Sequence, residues 1–482
     1  MTQTKEGFFW SPTHSYNGLE TDAVRISSHT VAQSYDVVVI GSGFAGLIAA
    51  RDISQKRDIK VLLVEGRDRI GGRTWTAKAM GQEFEMGGTW VHWGQPHVYS
   101  EIRRYGLHEA LKITSGTGDL QRMMFKPKDQ AVKDLDPQAT DALLDQIAEK
   151  FFTVNGQTAR QLMPFPHQPF RTPAQPWEQY DHMSVRDRLD QIEATEEAKQ
   201  LLEAHTNSFG CGTAEDTSFT EALRWFTLGG YSFQGMYEAV GMFKLGNGGM
   251  TALASRILDD YQGDILFNST VQEIHQDQER VSISFKNRPP IQAKHAVCTI
   301  PLNCLSDITF SPPLDPTRLQ AISKGHTNTG AKIHFSLPTT EKGWFANTPD
   351  ATQSDYLMSF SDSNPSVKGE AQGTNCIAFS YSGKLQDPGA NEAIISSFKA
   401  LRPDAEVQAY LTHPWATDEF AKGTWYCGGP GVTTRYLRAL QKPHGRVAMA
   451  SGDWADGWRG FVDGAVEQGM LAARWVVRSQ SV

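Results

Sequence analysis

Tyr35–Ile40, YDVVVI, leads without a break into Gly41-Ser42-Gly43-Phe44-Ala45-Gly46, then LIAARDISQ (47–55) and a second apolar run, IKVLLV (59–64), closed by Glu65. Both apolar runs are short, rich in β-branched residues and free of alternation, the pattern of strands buried on both faces of a parallel sheet. The glycines between them follow GxGxxG. Gly41 permits the tight turn, Gly43 lets backbone approach a pyrophosphate, and Gly46 allows close helix–strand contact. Leu47, Ile48 and Ala50 allow a helix, whose first turn, Phe44 and Ala45, offers free N–H groups and a positive dipole end to phosphate. Glu65 follows Gly46 by 19 residues, at the end of the second strand, where a carboxylate accepts hydrogen bonds from ribose hydroxyls. The glycines alone are a weak signal. Strand, turn, helix, strand and acid together define a βαβ dinucleotide-binding unit.

Outward from that unit the text changes character. Residues 1–33 are polar and turn-rich and read as an extension packed on or tethered to the core. From about 105 to 242, ATDALLDQIAEKFF and SVRDRLDQIEATEEAKQLLEAH show helical spacing with charged outer faces, and MPFPHQPFRTPAQPW between them reads as a long irregular connection. After Gly246–Gly249 the text is β-rich: DILFNSTVQEI, RVSISFK and AKHAVCTIPL, then GAKIHFSL through CIAFSYS. GRVAMASGDW reads as a strand entering a turn, and VDGAVEQGMLAARWVV as a helix with small residues on one face. No repeat of fixed period is present.

Composition bounds the function. A chain of 482 residues exceeds what one hydrophobic core usually serves, so at least two packed units are expected. With 39% hydrophobic and 21% charged residues, disorder and collagen are excluded. No apolar run of about 18 residues occurs, so no membrane-spanning helix is expected. Against 46 basic residues stand 54 acidic ones, a net charge of -8, which argues against a general nucleic-acid binder or a basic membrane-surface protein. The cysteines, Cys211, Cys298, Cys304, Cys376 and Cys427, are scattered and form no CxxC pair. Neither a disulfide framework nor a metal site is expected, and a reducing compartment fits. MTQTKEGFFWSPTHSYNGLE has no basic-then-apolar secretory pattern and VVRSQSV is not an SKL-type signal, so the expectation is a soluble, intracellular, by default cytoplasmic protein.

Two further blocks decide the cofactor. Glu65-Gly66-Arg67-Asp68-Arg69-Ile70-Gly71-Gly72-Arg73 continues directly from the second strand, and Met86-Gly87-Gly88-Thr89-Trp90 follows. Here the chain resembles the flavin amine oxidase family, whose hallmark is this E-x-R-x-R-x-G-G-R stretch and a GG turn beneath the flavin. The resemblance covers nearly the whole chain and is closest to the soluble fungal monoamine oxidases, through GGTWVHW, PFPH, TIPLN and the final W-x-x-F-x-D-G-A. It implies an α/β fold in which a Rossmann-type FAD-binding domain (34–108, 243–321 and 418–482) is interleaved with an α+β substrate-binding domain (109–242 and 322–417).

Site residues follow from the same resemblance. Arg67 and Arg73 would bring positive charge to the pyrophosphate. Gly72, Gly87, Gly88, Thr89 and Trp90 would lie along the flavin, with Trp415 packed beside it. Val271 would offer its backbone to the adenine, and Gly452, Asp453 and Val462 would lie along the ribityl chain and ring. The family often has Glu where this chain has Asp453. Period-2 alternation sends Lys332 and His334 to one strand face. By residues alone Lys332 is a solvent-facing lysine; by resemblance it holds a water at the flavin and assists reaction with oxygen. Trp425 and Phe461 match a pair of aromatic walls that face the flavin and guide the amine, in register with Gly457, Trp458 and Asp463. His92, Trp93 and His97 are weaker candidates with an equally good structural role.

The relatives that attach FAD covalently use a cysteine where this chain has Thr424, and Cys427 lies outside the motif, so the resemblance implies non-covalent FAD. The expected reaction is oxidative deamination of a primary amine through an imine to a carbonyl compound, ammonia and hydrogen peroxide. Molecular oxygen is the electron acceptor, and a homodimer is compatible with the family. The alternatives are a polyamine or secondary-amine oxidase, or a flavin-binding scaffold without turnover. An amino-acid oxidase is disfavoured because GGTWVHW stands where that family usually carries a GPMR-like stretch.

Overall fold

The computed structural model describes residues 2–367 and 370–480; Met1 and the last two residues of VVRSQSV lie outside the described residues. The apolar runs on either side of the glycine turn are strands, Ser34–Ile40 and Val61–Val64, paired in parallel. Their side chains alternate between two cores. Val37, Val39, Val61 and Leu63 pack on the side of the helix Phe44–Ser54, and Val38, Ile40, Leu62 and Val64 pack on the other. Burial on both faces explains the absence of polar alternation. Ile291–Cys298 adds on the far side of Ser34–Ile40 and Val447–Met449 beyond it, all parallel, while Asp264–Leu266 adds outside Val61–Val64. An antiparallel meander through Val281–Phe285 and Val271–Gln276, with Thr309–Ser311, completes eight strands.

The C-terminal helix Val462–Ser479 lies against Phe44–Ser54, where Gly469 is needed because a Cβ there would come within 2.5 Å of the Ala45 carbonyl oxygen. The βαβ unit is therefore closed by chain more than 400 residues away, between Ala45 and Gly469.

A second sheet of nine strands takes Leu120–Phe125, Gly343–Asn347, Tyr356–Ser363, Thr374–Ser380, Lys332–Leu337 and Ala409–Thr412 through its middle. Residues 2–33 are woven into the molecule: Phe8–Trp10 and Ser15–Asn17 extend this nine-stranded sheet, and Thr2–Gln3 and Glu20–Thr21 join Thr76–Ala79 and Gln82–Glu85 in a smaller one. Helices Pro137–Phe151, Glu196–Asn207 and Phe219–Leu228 share an aromatic core with Trp177 and Phe233.

SVRDRLDQIEATEEAKQLLEAH is two helices, Val185–Gln191 and Glu196–Asn207, because the Thr195 side chain caps the second by accepting from the Ala198 N–H. A helix, Gly249–Asp259, precedes the β-rich stretch DILFNSTVQEI.

Candidate active site

A cavity of about 460 Å³ is lined by residues from both large sheets and the helical block. Its nucleotide end is built by the βαβ unit. Gly41 has φ +101°, and a Cβ on Gly46 would lie 1.8 Å from the Gly41 carbonyl oxygen, so only glycine lets the helix start this close to the strand. The helix begins at Gly43 with no side-chain cap, leaving its first N–H groups to face a ligand. Glu65 Oε2 accepts from the Ser42 N–H and hydroxyl, both at 2.7 Å, and Oε1 accepts from the Arg67 N–H at 2.9 Å. The acid therefore shapes the glycine turn as well as lining the cavity.

The structure brings the expected residues to one place. Gly41, Gly43, Phe44, Ala45, Glu65, Arg67, Gly72 and Arg73 line the nucleotide end. Val271 lines that end as well, two residues beyond Ser269, whose N–H donates to the Glu65 carbonyl at 2.9 Å. Gly87, Gly88, Thr89, Trp90, Trp415, Gly452, Val462, Lys332, Trp425 and Phe461 line the remainder. Gly46 and Asp453 do not. Gly46 lies behind the turn, and the Asp453 carboxylate is turned away to accept from Arg73 at 2.6 Å and from the Leu302 N–H at 2.9 Å. His92, Trp93 and His97 also lie off the cavity. The Asp463 carboxylate accepts from the His97 and Val98 N–H groups at the start of Pro96–Arg104, a helix-capping role.

The arginines carry less free charge than their sequence suggests. Arg67 is ion-paired with Glu6 and with Asp418 (2.6 Å), and Arg69 with Glu6 at 2.5 Å. Glu6, His413 and Asp418 together resemble a metal-ligand set, but the two guanidiniums already hold the carboxylates. Arg73 also donates to the Thr424 carbonyl at 2.7 Å. Arg73 is likewise paired, with Asp453, so the uncapped helix start and Lys286 are the other sources of positive potential along the cavity.

Beyond the glycine turn at 87–88 the walls are aromatic: Trp90, Trp225, Tyr237, Phe345, Phe360 and Phe379 join Trp425 and Phe461. Trp425 is held by its indole N–H on the Phe209 carbonyl at 2.7 Å and by Phe379 edge-on at 5.7 Å. Phe461 is held by Trp225 at 4.7 Å and Trp458 at 5.0 Å. The supports of the two rings adjoin, since Phe209 and Trp225 stack at 4.6 Å. Sequence reasoning missed Trp225, Tyr237, Phe345, Phe360 and Phe379. Period-2 spacing could have placed Phe345, Phe360 and Phe379 on strand faces, but not on the face that meets the cavity.

Carboxylates that line the cavity, Glu65, Asp307 and Glu419, sit at its nucleotide end, where the Cys304 thiol approaches the Glu419 carbonyl and Phe420 lies under Arg67. Among the described residues none lines the aromatic end. Lys332 is the single cation there among the described residues, 3% exposed, whereas the residues alone suggested a solvent-facing lysine. Its ammonium reaches the Glu85 and Gly87 carbonyls at 2.7 and 2.9 Å and the Thr89 hydroxyl at 2.6 Å.

This chain belongs to the flavin-containing amine oxidoreductase family, whose pattern matches residues 44–477. It is 33% identical to a pseudooxynicotine dehydrogenase of Pseudomonas sp over 438 residues, covering 90% of this chain and 84% of that one. It is 26% identical to human flavin-containing amine oxidase B over 468 residues, covering 92% and 86%. Its fold is that of a cyclohexylamine oxidase from Brevibacterium oxydans, with a TM-score of 0.72 over 93% of this chain and 100% of that one at 20% identity. The family implies FAD. The donor set agrees: an uncapped helix start, a glycine turn with no room for a Cβ, an acid at the strand end and a second glycine turn at 87–88 make one continuous cradle.

Proposed function

We propose that the protein oxidises a primary amine with an apolar or aromatic body, through an imine, to a carbonyl compound and ammonia, with oxygen reduced to hydrogen peroxide. The observation that carries the substrate reading is the aromatic end of the cavity, which no carboxylate among the described residues lines. A polyamine brings a second ammonium that would be buried there without a counter-charge, which is strongly unfavourable. A monoamine entering neutral has no such requirement.

A bound flavin supplies the two-electron oxidant for the amine's α-carbon. The chain's own residues do the rest by position and field. Trp425 and Phe461 offer two ring faces to a nitrogen that gains positive character as the C–H bond breaks. The aromatic walls keep water from the reacting carbon until the imine leaves. Lys332 supplies positive charge where electrons pass to oxygen. We assign the segments 34–108, 243–321 and 418–482 to cofactor binding, and 109–242 with 322–417 to substrate binding.

FAD attachment is proposed to be non-covalent. Thr424 lines the cavity with its hydroxyl on the Asn328 carbonyl, and Cys427 is buried off it. Cys304 does line the cavity, but burial pushes its thiol up to about 12, leaving almost no thiolate to react.

Anaerobic titration of the purified protein with a panel of primary amines tests the reading. Bleaching of the oxidised-flavin bands, with all flavin released on denaturation, is the expected result. Bands that stay unchanged with monoamines but bleach with polyamines would overturn the substrate reading. A protein that takes up FAD and is reduced by no amine would be a scaffold.

A further inference from the structure

The hydrogen bonds around Lys332 suit its charged form. Its Nζ donates to Glu85 O, Gly87 O and Thr89 Oγ1. The Thr89 hydroxyl gives its own hydrogen to the Gly87 carbonyl at 2.9 Å, so toward Lys332 it accepts. Three donations require three N–H bonds, one more than a neutral amine has. The same Nζ lies 5.1 Å from the Trp90 ring centre and 5.9 Å from that of Phe379, faces that favour a cation. This set of contacts suits an ammonium, and a charge in a site with almost no solvent needs a partner.

The charged and titratable groups around it come from four strands. Asp362, from Tyr356–Ser363, is ion-paired with Lys244, from Phe243–Leu245. His334 lies two residues along Lys332's own strand with Nε2 on the Glu85 carbonyl at 2.9 Å, and burial holds its pKa down at about 3, so it is neutral. Glu85 remains, at the end of Gln82–Glu85. Its Oε1 accepts from the Thr76 hydroxyl at 2.8 Å and from the Met250 N–H, at the start of Gly249–Asp259, at 3.1 Å. Its Oε2 is buried with no hydrogen-bond partner. Burial raises the Glu85 pKa and lowers that of Lys332, and each charge opposes the shift of the other.

We propose that the Glu85 carboxylate is the counter-charge that holds Lys332 as an ammonium, and so sets the pH range over which a cation faces the aromatic end of the cavity. Glu85 does not line the cavity. It is a positioning residue: its carbonyl orients Lys332 and its carboxylate charges it, across the turn that links Glu85 to Thr89. The proposal rests on the reading of this cavity as the flavin and amine site, and deepens it.

Glu85→Gln keeps the size and an acceptor oxygen for Thr76 and Met250 but removes the charge. The test compares holoprotein of wild type, E85Q, Lys332→Met and the double variant. One readout is the pH titration of the oxidised flavin's absorbance, which senses charge beside it. Another is the pH dependence of reoxidation by oxygen after photochemical reduction, which needs no amine. Wild type should show a transition that K332M lacks, and in E85Q it should move to lower pH by about one unit or more, a tenfold change in the ammonium equilibrium. The double variant should match K332M. An E85Q transition at the wild-type pH, or no transition in wild type, overturns the proposal.

Infrared pH-difference spectra provide a readout independent of flavin. K332M should gain the band of a protonated carboxyl at neutral pH, because Glu85 has lost its partner, and absence of that band overturns the proposal even if E85Q takes up no FAD. If no amine bleaches the flavin, the amine-oxidase reading fails while these titrations still decide Glu85.

Discussion

Glu221→Gln should destabilise the protein by about 3 kcal/mol or more, the range for breaking a buried ion pair from one side. Glu221 is buried in Phe219–Leu228, with Oε2 accepting from Arg224 at 2.5 Å and Oε1 from Arg459 at 2.6 Å. Both guanidiniums are buried, and Arg224 also donates to the Gly457 and Arg459 carbonyls at 2.8 and 3.2 Å. Glutamine leaves two guanidiniums without an anion. Thr433→Val is the control: it removes only a 3.3 Å hydrogen bond to the same carboxylate and should cost about 1 kcal/mol.

The assay is urea unfolding of the holoprotein, read as the shift in midpoint multiplied by the slope. Burial alone would raise the Glu221 carboxyl; Arg224 and Arg459 overcome it and pull it down to about 2. A carboxyl depressed in the folded state contributes stability above its unfolded value, near 4.3, and loses it as pH falls toward 2. Wild type and E221Q should therefore differ fully at neutral pH and converge in acid. A neutral-pH difference under about 1 kcal/mol, or one that does not shrink in acid, refutes this account. Because Arg459 sits two residues before Phe461 and Arg224 one before Trp225, E221Q should also raise the KM for an amine more than it lowers kcat.

Lys332→Met should slow oxygen-dependent flavin reoxidation by about a hundredfold, the scale for losing one preorganised electrostatic group, as measured by stopped-flow absorbance. Gly46→Ala should abolish flavin uptake, since its Cβ would fall 1.8 Å from the Gly41 carbonyl oxygen, and a normal flavin-to-protein absorbance ratio would contradict it. Phe461→Ala should leave flavin content intact while raising the KM for amines, because it removes a wall of the cavity and not of the nucleotide cradle; loss of bound flavin would show that the ring has another role.

Much of the cofactor cradle was legible because its determinants are local. Two unalternating apolar runs announce strands covered on both faces, and the glycines between them meet a requirement set within a few residues. Glu65 follows from the same unit. The splitting of 184–207 into two helices was less visible, since hydrophobic spacing continues through a break that one capping threonine decides.

Other properties depend on distant parts of the chain. Arg67 reads as a cation for pyrophosphate, but Asp418, 351 residues away, and Glu6, 61 away, take its charge. Asp453 reads as a ribityl contact and is turned to Arg73, 380 residues from it. Alternation sends Lys332 and His334 to one face of a strand but cannot say whether water or the Glu85 turn covers it. Which residues could line a dinucleotide turn is readable from the chain alone, because that geometry is short-range. The burial, pairing and charge at the aromatic end of the cavity arise where two sheets and a helical block meet, and no single stretch of sequence encodes that meeting.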